Sequence, residues 1–107
     1  IVVFQPHRYT RTKALMEQFA RCFYHSDVLY LTEIYAASEQ PIPGVTGSRL
    51  AQEIAAHGHH DLHFCPTVAE ALDRVKTIVA PGDVVMTLGA GSVWQLGEEL
   101  VAWLRDS

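Results

Sequence analysis

Only two cysteines occur in 107 residues, Cys22 and Cys65, far apart and in apolar surroundings. Neither a C-x-x-C pair nor the cysteine density of a stapled secreted domain is present, so both read as free thiols in a reducing cytoplasm. Basic residues are scarce as well: eight Lys and Arg stand against twelve Asp and Glu, a formal net charge of -4. That is the wrong sign for a surface that tracks nucleic-acid phosphates. No apolar run reaches the ~18 residues a membrane-spanning helix needs, because Pro81, Gly82 and Asp83 interrupt the longest one. Neither nucleic acid nor membrane is an expected partner, and the chain reads as soluble. It opens on Ile1-Val2-Val3 with no Met, basic leader or cleavage pattern, which reads as a piece cut from something longer.

Missing motifs narrow the chemistry. No G-x-x-x-x-G-K-[ST] loop occurs, so nothing visible cradles ATP phosphates. Gly89-Ala90-Gly91 invites a dinucleotide fingerprint, but the third glycine would fall at Trp94. Phe4-Gln5-Pro6 lacks the acidic pair of a receiver domain, and no Ser-His-acid or Cys-His nucleophile emerges from spacing. This chain alone is not expected to catalyse, and no catalytic residue is assigned.

What is there is an ordinary globular composition, 49% hydrophobic and 19% charged, enough for one domain over residues 1–107. Ile1 to Gln5 is a continuous apolar run stopped by Pro6, the pattern of a strand buried on both faces. Leu15, Phe19 and Cys22 mark one face of a helix from Thr12 to Phe23. A second strand covers Val28 to Thr32, and a long loop from Glu33 to Gly47 carries Pro41, Pro43 and Gly44. Ser48 is placed to cap a short helix with Leu50 and Ile54 on one face. Leu62 to Cys65 is a third strand, followed by a capping box of Thr67 and Glu70 and a helix carrying Val68, Leu72, Val75 and Val79. Val84 to Leu88 reads as a fourth buried strand, and Val93, Leu96, Leu100 and Trp103 as the inward face of a last helix. Strand and helix alternate four times, which predicts a three-layer, Rossmann-like open α/β sheet, mostly parallel, with helices on both faces.

Ligands in such sheets lie beyond the carboxyl ends of the strands. The first loop there, Pro6 to Lys13, holds His7, Arg8, Tyr9 and Arg11 with no acid before Glu17. If helical, Arg8 and Arg11 share a face and can fork a carboxylate or phosphate beside a helix N-terminus. The plain alternative is a strand-to-helix turn with solvated arginines, capped by Thr10 or Thr12. In the second loop Glu33, Tyr35 and Glu39 either steady an arginine of the first or form a solvated acidic surface. Gly89 and Gly91 permit a tight turn, against a ligand or only a neighbouring loop, and Ser92 can cap the last helix. His57, His59, His60 and His63 with Cys65 look like a metal-binding tract but lack zinc-motif spacing, so a His-rich surface connection is the alternative.

Three segments then carry a family resemblance: Phe4-Gln5-Pro6-His7-Arg8-Tyr9-Thr10-Arg11-Thr12, Glu33-Ile34-Tyr35-Ala36-Ala37-Ser38-Glu39 with Pro41-Ile42-Pro43-Gly44, and Gly89-Ala90-Gly91-Ser92. Together they resemble the C-terminal domain of the Mur ligases of peptidoglycan synthesis, in the branch that adds L-alanine. The resemblance implies an ATP-dependent ligase of three domains that supports the cell wall, cell shape and division from the cytoplasm. ATP phosphorylates the carboxylate of UDP-N-acetylmuramate, L-alanine attacks the acyl phosphate, and Mg²⁺ neutralises the transferred group. ATP and Mg²⁺ would sit largely in other domains, with none expected on this chain. The resemblance assigns substrate binding to His7, Arg8 and Arg11. Tyr9, Glu33, Tyr35, Glu39, Gly89, Gly91 and Ser92 would support them, and none binds metal. Two departures stand out: an Asp-Asp-Tyr-Gly-His-His-Pro-like stretch is not in this sequence, and Ala37-Ser38-Glu39 replaces the more usual Ala-Gly-Glu. The competing reading is a non-catalytic small-ligand or metal-binding α/β module.

Overall fold

The computed structural model describes residues 1–23 and 25–106. Along the chain run β1 (Val2–Phe4), α1 (Tyr9–Arg21), β2 (Leu29–Leu31), α2 (Gly47–Ala56), β3 (Leu62–Phe64), α3 (Val68–Ile78), β4 (Met86–Leu88) and α4 (Trp94–Arg105). The sheet order is β3-β2-β1-β4, and each neighbouring pair is parallel.

Successive side chains on a strand point to opposite faces, and here both faces are covered. Phe4, Leu29 and Leu31 pack with Ala20 and Phe23 of the α1 region and with Leu50 and Ile54 of α2. Val3 and Tyr30 face the other way, onto Ala71, Leu72 and Val75 of α3 and Leu96 and Leu100 of α4. That is why β1 and β2 are apolar without alternation. The three-layer parallel architecture expected from the sequence is the one observed.

Several local expectations are corrected. Val84, Met86 and Leu88 are 71%, 50% and 36% exposed, so the fourth strand is not fully buried. β4 is an edge strand: Val85 packs on the α3/α4 cluster, while the α1/α2 cluster takes its strand residues from β1, β2 and β3. Trp103 is also exposed, with Nζ of Lys76 5.5 Å from its ring centre. α1 ends at Arg21, so Cys22 leaves the helical stripe and is exposed. α2 is capped by Thr46 instead of Ser48: the Thr46 backbone is extended and its side chain accepts from the Arg49 N–H at 3.0 Å. At α3 Thr67 accepts from the Glu70 N–H at 3.1 Å, one half of the expected box.

The chain builds outward from β1 to β3, and α3 then returns it to the far side of β1 to lay down β4. The topological switch point therefore lies between the carboxyl ends of β1 and β4, where open α/β sheets place their ligands.

Candidate functional site

The cationic loop and the second loop extend the β1–β2 pairing past the strand ends. Arg8 N–H donates to the Tyr35 carbonyl and Tyr35 N–H to the Pro6 carbonyl, each at 2.8 Å. This bridge lays the His7 ring on the Tyr35 ring, with centroids 5.8 Å apart and planes 11° from parallel. His7 Nδ1 is buried there without a hydrogen-bond partner, an atom that calls for a water or a ligand. Arg8, the residue before α1, has φ 67° and ψ 143°, a backbone region that belongs to glycine; it is not helical, so the helical spacing expected to set Arg8 and Arg11 on one face does not apply. Such strain costs about 1–3 kcal/mol, and the bonds around it hold it in place. Thr12, fully buried, donates both its N–H (3.1 Å) and its hydroxyl (2.8 Å) to the Arg8 carbonyl. Thr12 is thus a prop for Arg8 and not a cap. Both Arg8 and Arg11 are exposed, and among the described residues neither has an ion-pair partner.

Neither acid of the second loop pairs with an arginine, contrary to one of the expected roles. Glu39 instead caps α1: its carboxylate accepts from the Thr10 hydroxyl at 2.7 Å and the Thr10 N–H at 3.2 Å. The backbone N–H of Tyr9, half-buried at the start of α1, also favours the ionised Glu39 carboxylate. Glu33 reaches the start of α2, where its carboxylate accepts from Gly47 N–H at 2.6 Å and Ile34 N–H at 2.9 Å. The anion at the α1 terminus is therefore the protein's own, and an external anion must be held by the arginine side chains. Ala37 and Ser38 have φ of 50° and 71°, so both occupy a backbone that favours glycine.

The Thr10 hydroxyl, then the backbone N–H groups and the nearby Arg8 charge, hold the Glu39 carboxyl below its ordinary range against some desolvation. A depressed carboxyl adds stability that is complete above its unfolded value and lost as pH falls through the folded one. Carbon-detected NMR titration of the chain is expected to show Glu39 titrating below the ordinary glutamate range. Replacement of Thr10 by Val should move that midpoint upward, and an unchanged midpoint would refute the cap.

The third loop closes on the same place. Ser92 does not cap α4, as its spacing suggested; its Oγ accepts from Gln5 Nε2 at 3.2 Å, while Gln5 Oε1 accepts from Val93 N–H at 2.9 Å. Gln5 is 6% exposed. A Cβ on Gly91 would lie 2.6 Å from Cγ of Tyr35 and 2.7 Å from Oε1 of Gln5, and one on Gly89, at φ 144°, 2.6 Å from the Gln5 carbonyl oxygen. Both glycines thus allow close approach between loops. Sequence reasoning overlooked Gln5, whose signal was a lone carboxamide ending an apolar strand.

The histidine tract lies at the opposite end of the sheet, around a hollow of about 220 Å³ lined by Phe23, Ser26, His57, His59 and Asp61 among others. Three of its members, His57, His59 and His63, have hydrogen-bond partners. His59 Nε2 contacts Ser26 Oγ at 2.6 Å, His57 Nδ1 contacts the Glu53 carbonyl at 2.8 Å, and His63 pairs with Asp61 and stacks on Tyr30. Cys65 is buried in the α3/α4 cluster. Among the described residues no three His, Cys, Asp or Glu side chains converge as metal ligands. Burial raises the Cys65 thiol above its usual pKa, and partial desolvation by its neighbours raises that of the more exposed Cys22, so neither is an activated nucleophile. No helix among the described residues is long and apolar enough to cross a membrane.

Residues 1–91 match the family model described as "Mur ligase, glutamate ligase domain". The UDP-N-acetylmuramate--L-alanine ligase of Syntrophobacter fumaroxidans is 76% identical over 107 residues, all of this chain and 23% of that protein. The same-named ligase of Syntrophotalea carbinolica is 51% identical over 106 residues, 99% of this chain and 23% of that protein. That of Trichlorobacter lovleyi is 55% identical over 101 residues, 94% of this chain and 22% of that protein. The chain spans about a quarter of the length of these relatives. With a family model matching 91 of 107 residues, over a sheet that brings the three recognisable loops together, the chain belongs to the Mur ligase family.

Proposed function

We propose that this chain is the amino-acid-binding, site-closing part of a ligase that joins L-alanine to UDP-N-acetylmuramate with ATP, in the cytoplasm, for peptidoglycan synthesis. The observation that carries the reading is the loop that leaves the carboxyl end of β1, where Arg8 and Arg11 are exposed and, among the described residues, without ionic partners. Both nearby acids are engaged at helix termini. A guanidinium fork there grips the amino acid's carboxylate and leaves its amine free to attack an acyl phosphate, catalysis by positioning. His7 lies beside them with an unpaired ring nitrogen. The relatives' printed names select L-alanine and UDP-N-acetylmuramate as the substrates.

ATP and Mg²⁺ are implied by the family, but this chain's donors do not fit them. It has no phosphate-cradling glycine-lysine loop, and among the described residues no three metal ligands converge. Glu33 and Glu39, the acids of the second loop, are already bound to backbone N–H groups. No step through either group is assigned to these residues.

A chimera tests the reading: the Syntrophobacter fumaroxidans ligase with this chain replacing its matching segment. It should release phosphate from ATP only with L-alanine and UDP-N-acetylmuramate both present, at a kcat/KM within about tenfold of the parent. A folded, ATP-binding chimera with no alanine-dependent turnover would overturn it.

A further inference from the structure

We propose that Gln5 is a positioning residue of this three-loop cluster, and that its neutral carboxamide at the start of α4 keeps the cluster receptive to an anion; the inference rests on the amino-acid-binding reading above. Three features place Gln5 where the loops meet. Its backbone N–H donates to the Leu88 carbonyl at 2.9 Å, locking the end of β1 to β4. Its side chain, nearly inaccessible, holds Ser92 and Val93. His7 and Arg8 follow directly after Pro6, so the same residue sets the cationic loop against the α4 turn.

The chemistry of the amide matters separately from its shape. Glu39 and Glu33 bring a negative charge to the starts of α1 and α2, and Gln5 brings none to that of α4. A glutamate at position 5 can accept from Val93 N–H, and the Ser92 hydroxyl can rotate to donate to it, so the tie survives. What changes is charge: a buried carboxylate where the three loops meet, three residues before Arg8 in the chain, adds negative charge at the place proposed to take the substrate's carboxylate and repels it.

In the chimera, Gln5→Glu should raise KM for L-alanine about tenfold with kcat within about twofold, the split expected for a ground-state binding loss. Gln5→Met, which cuts the tie, should instead lower kcat. Should Gln5→Glu fail to fold, the isosteric pair Ser92→Asp and Ser92→Asn decides, with KM several-fold higher for Asp. Parallel NMR titrations of the 107-residue chain with L-alanine need no turnover, so an inactive chimera overturns the ligase reading without deciding this one. Weaker binding in the charged variant than in the wild type supports the proposal. Equal KM in the charged and neutral members, equal L-alanine binding, or loss confined to kcat and melting temperature would each overturn it.

Discussion

Replacing Arg11 by alanine in the chimera is expected to raise KM for L-alanine by roughly 10- to 100-fold while leaving KM for ATP nearly unchanged. A hydrogen bond to a charged group is worth about 1.5–3 kcal/mol, and each 1.4 kcal/mol is a factor of ten. Arg11 has no partner among the described residues to release or strand, so its removal costs the fold little and the effect reads as lost binding. His7→Ala should act in the same direction, with an added structural component because the Tyr35 ring loses its stacking partner. Arg11→Lys separates charge from geometry: a point charge restores the attraction but not the two parallel bonds of a guanidinium. Its KM should fall between the wild type and the alanine variant. Steady-state kinetics with L-alanine and ATP varied in turn makes the measurement, and unchanged alanine kinetics in both alanine variants would remove these side chains from the site.

The parts of this fold that sequence reveals are those set by local period and by burial on both faces. Val3, Leu29 and Leu31 are apolar because helices cover them above and below, and that arrangement leaves its mark on the residues themselves. β4 has the same apolar composition, yet Met86 and Leu88 are exposed, because only strand order tells whether a helix lies over a given face. The cationic loop was legible as well, its charges being clustered in sequence. What Glu33 and Glu39 do was not, since each reaches a helix start fixed by the packing of three strands. Gln5 was hidden for the same reason: its partners Ser92 and Val93 lie 87 and 88 residues away. Conversely, the His-rich tract looked like a site on composition, but among the described residues no three potential ligands converge there.

Arg8→Gly is expected to make the chain more stable and the ligase worse. Arg8 at φ 67° and ψ 143° occupies a region open to glycine and closed to ordinary side chains. Relieving about 1–3 kcal/mol of strain, less the ~0.5–1 kcal/mol of extra unfolded-state freedom that glycine brings, leaves a net gain of about 1 kcal/mol. For a domain of this size that is a rise in melting temperature of roughly 4–8 °C. The Thr12 and Tyr35 bonds at this position involve only the Arg8 backbone, so glycine keeps them. Lost instead is the guanidinium, and with it one arm of the proposed carboxylate fork, for an expected rise of at least about tenfold in KM for L-alanine. Stability and affinity thus move in opposite directions from one substitution. A structural arginine predicts that both fall together, and a solvated bystander predicts a more stable chain with unaltered kinetics. Thermal unfolding of the chain alongside alanine kinetics of the chimera distinguishes all three. Only the opposed pair of changes is consistent with an arginine kept on a glycine's backbone because its side chain meets the substrate.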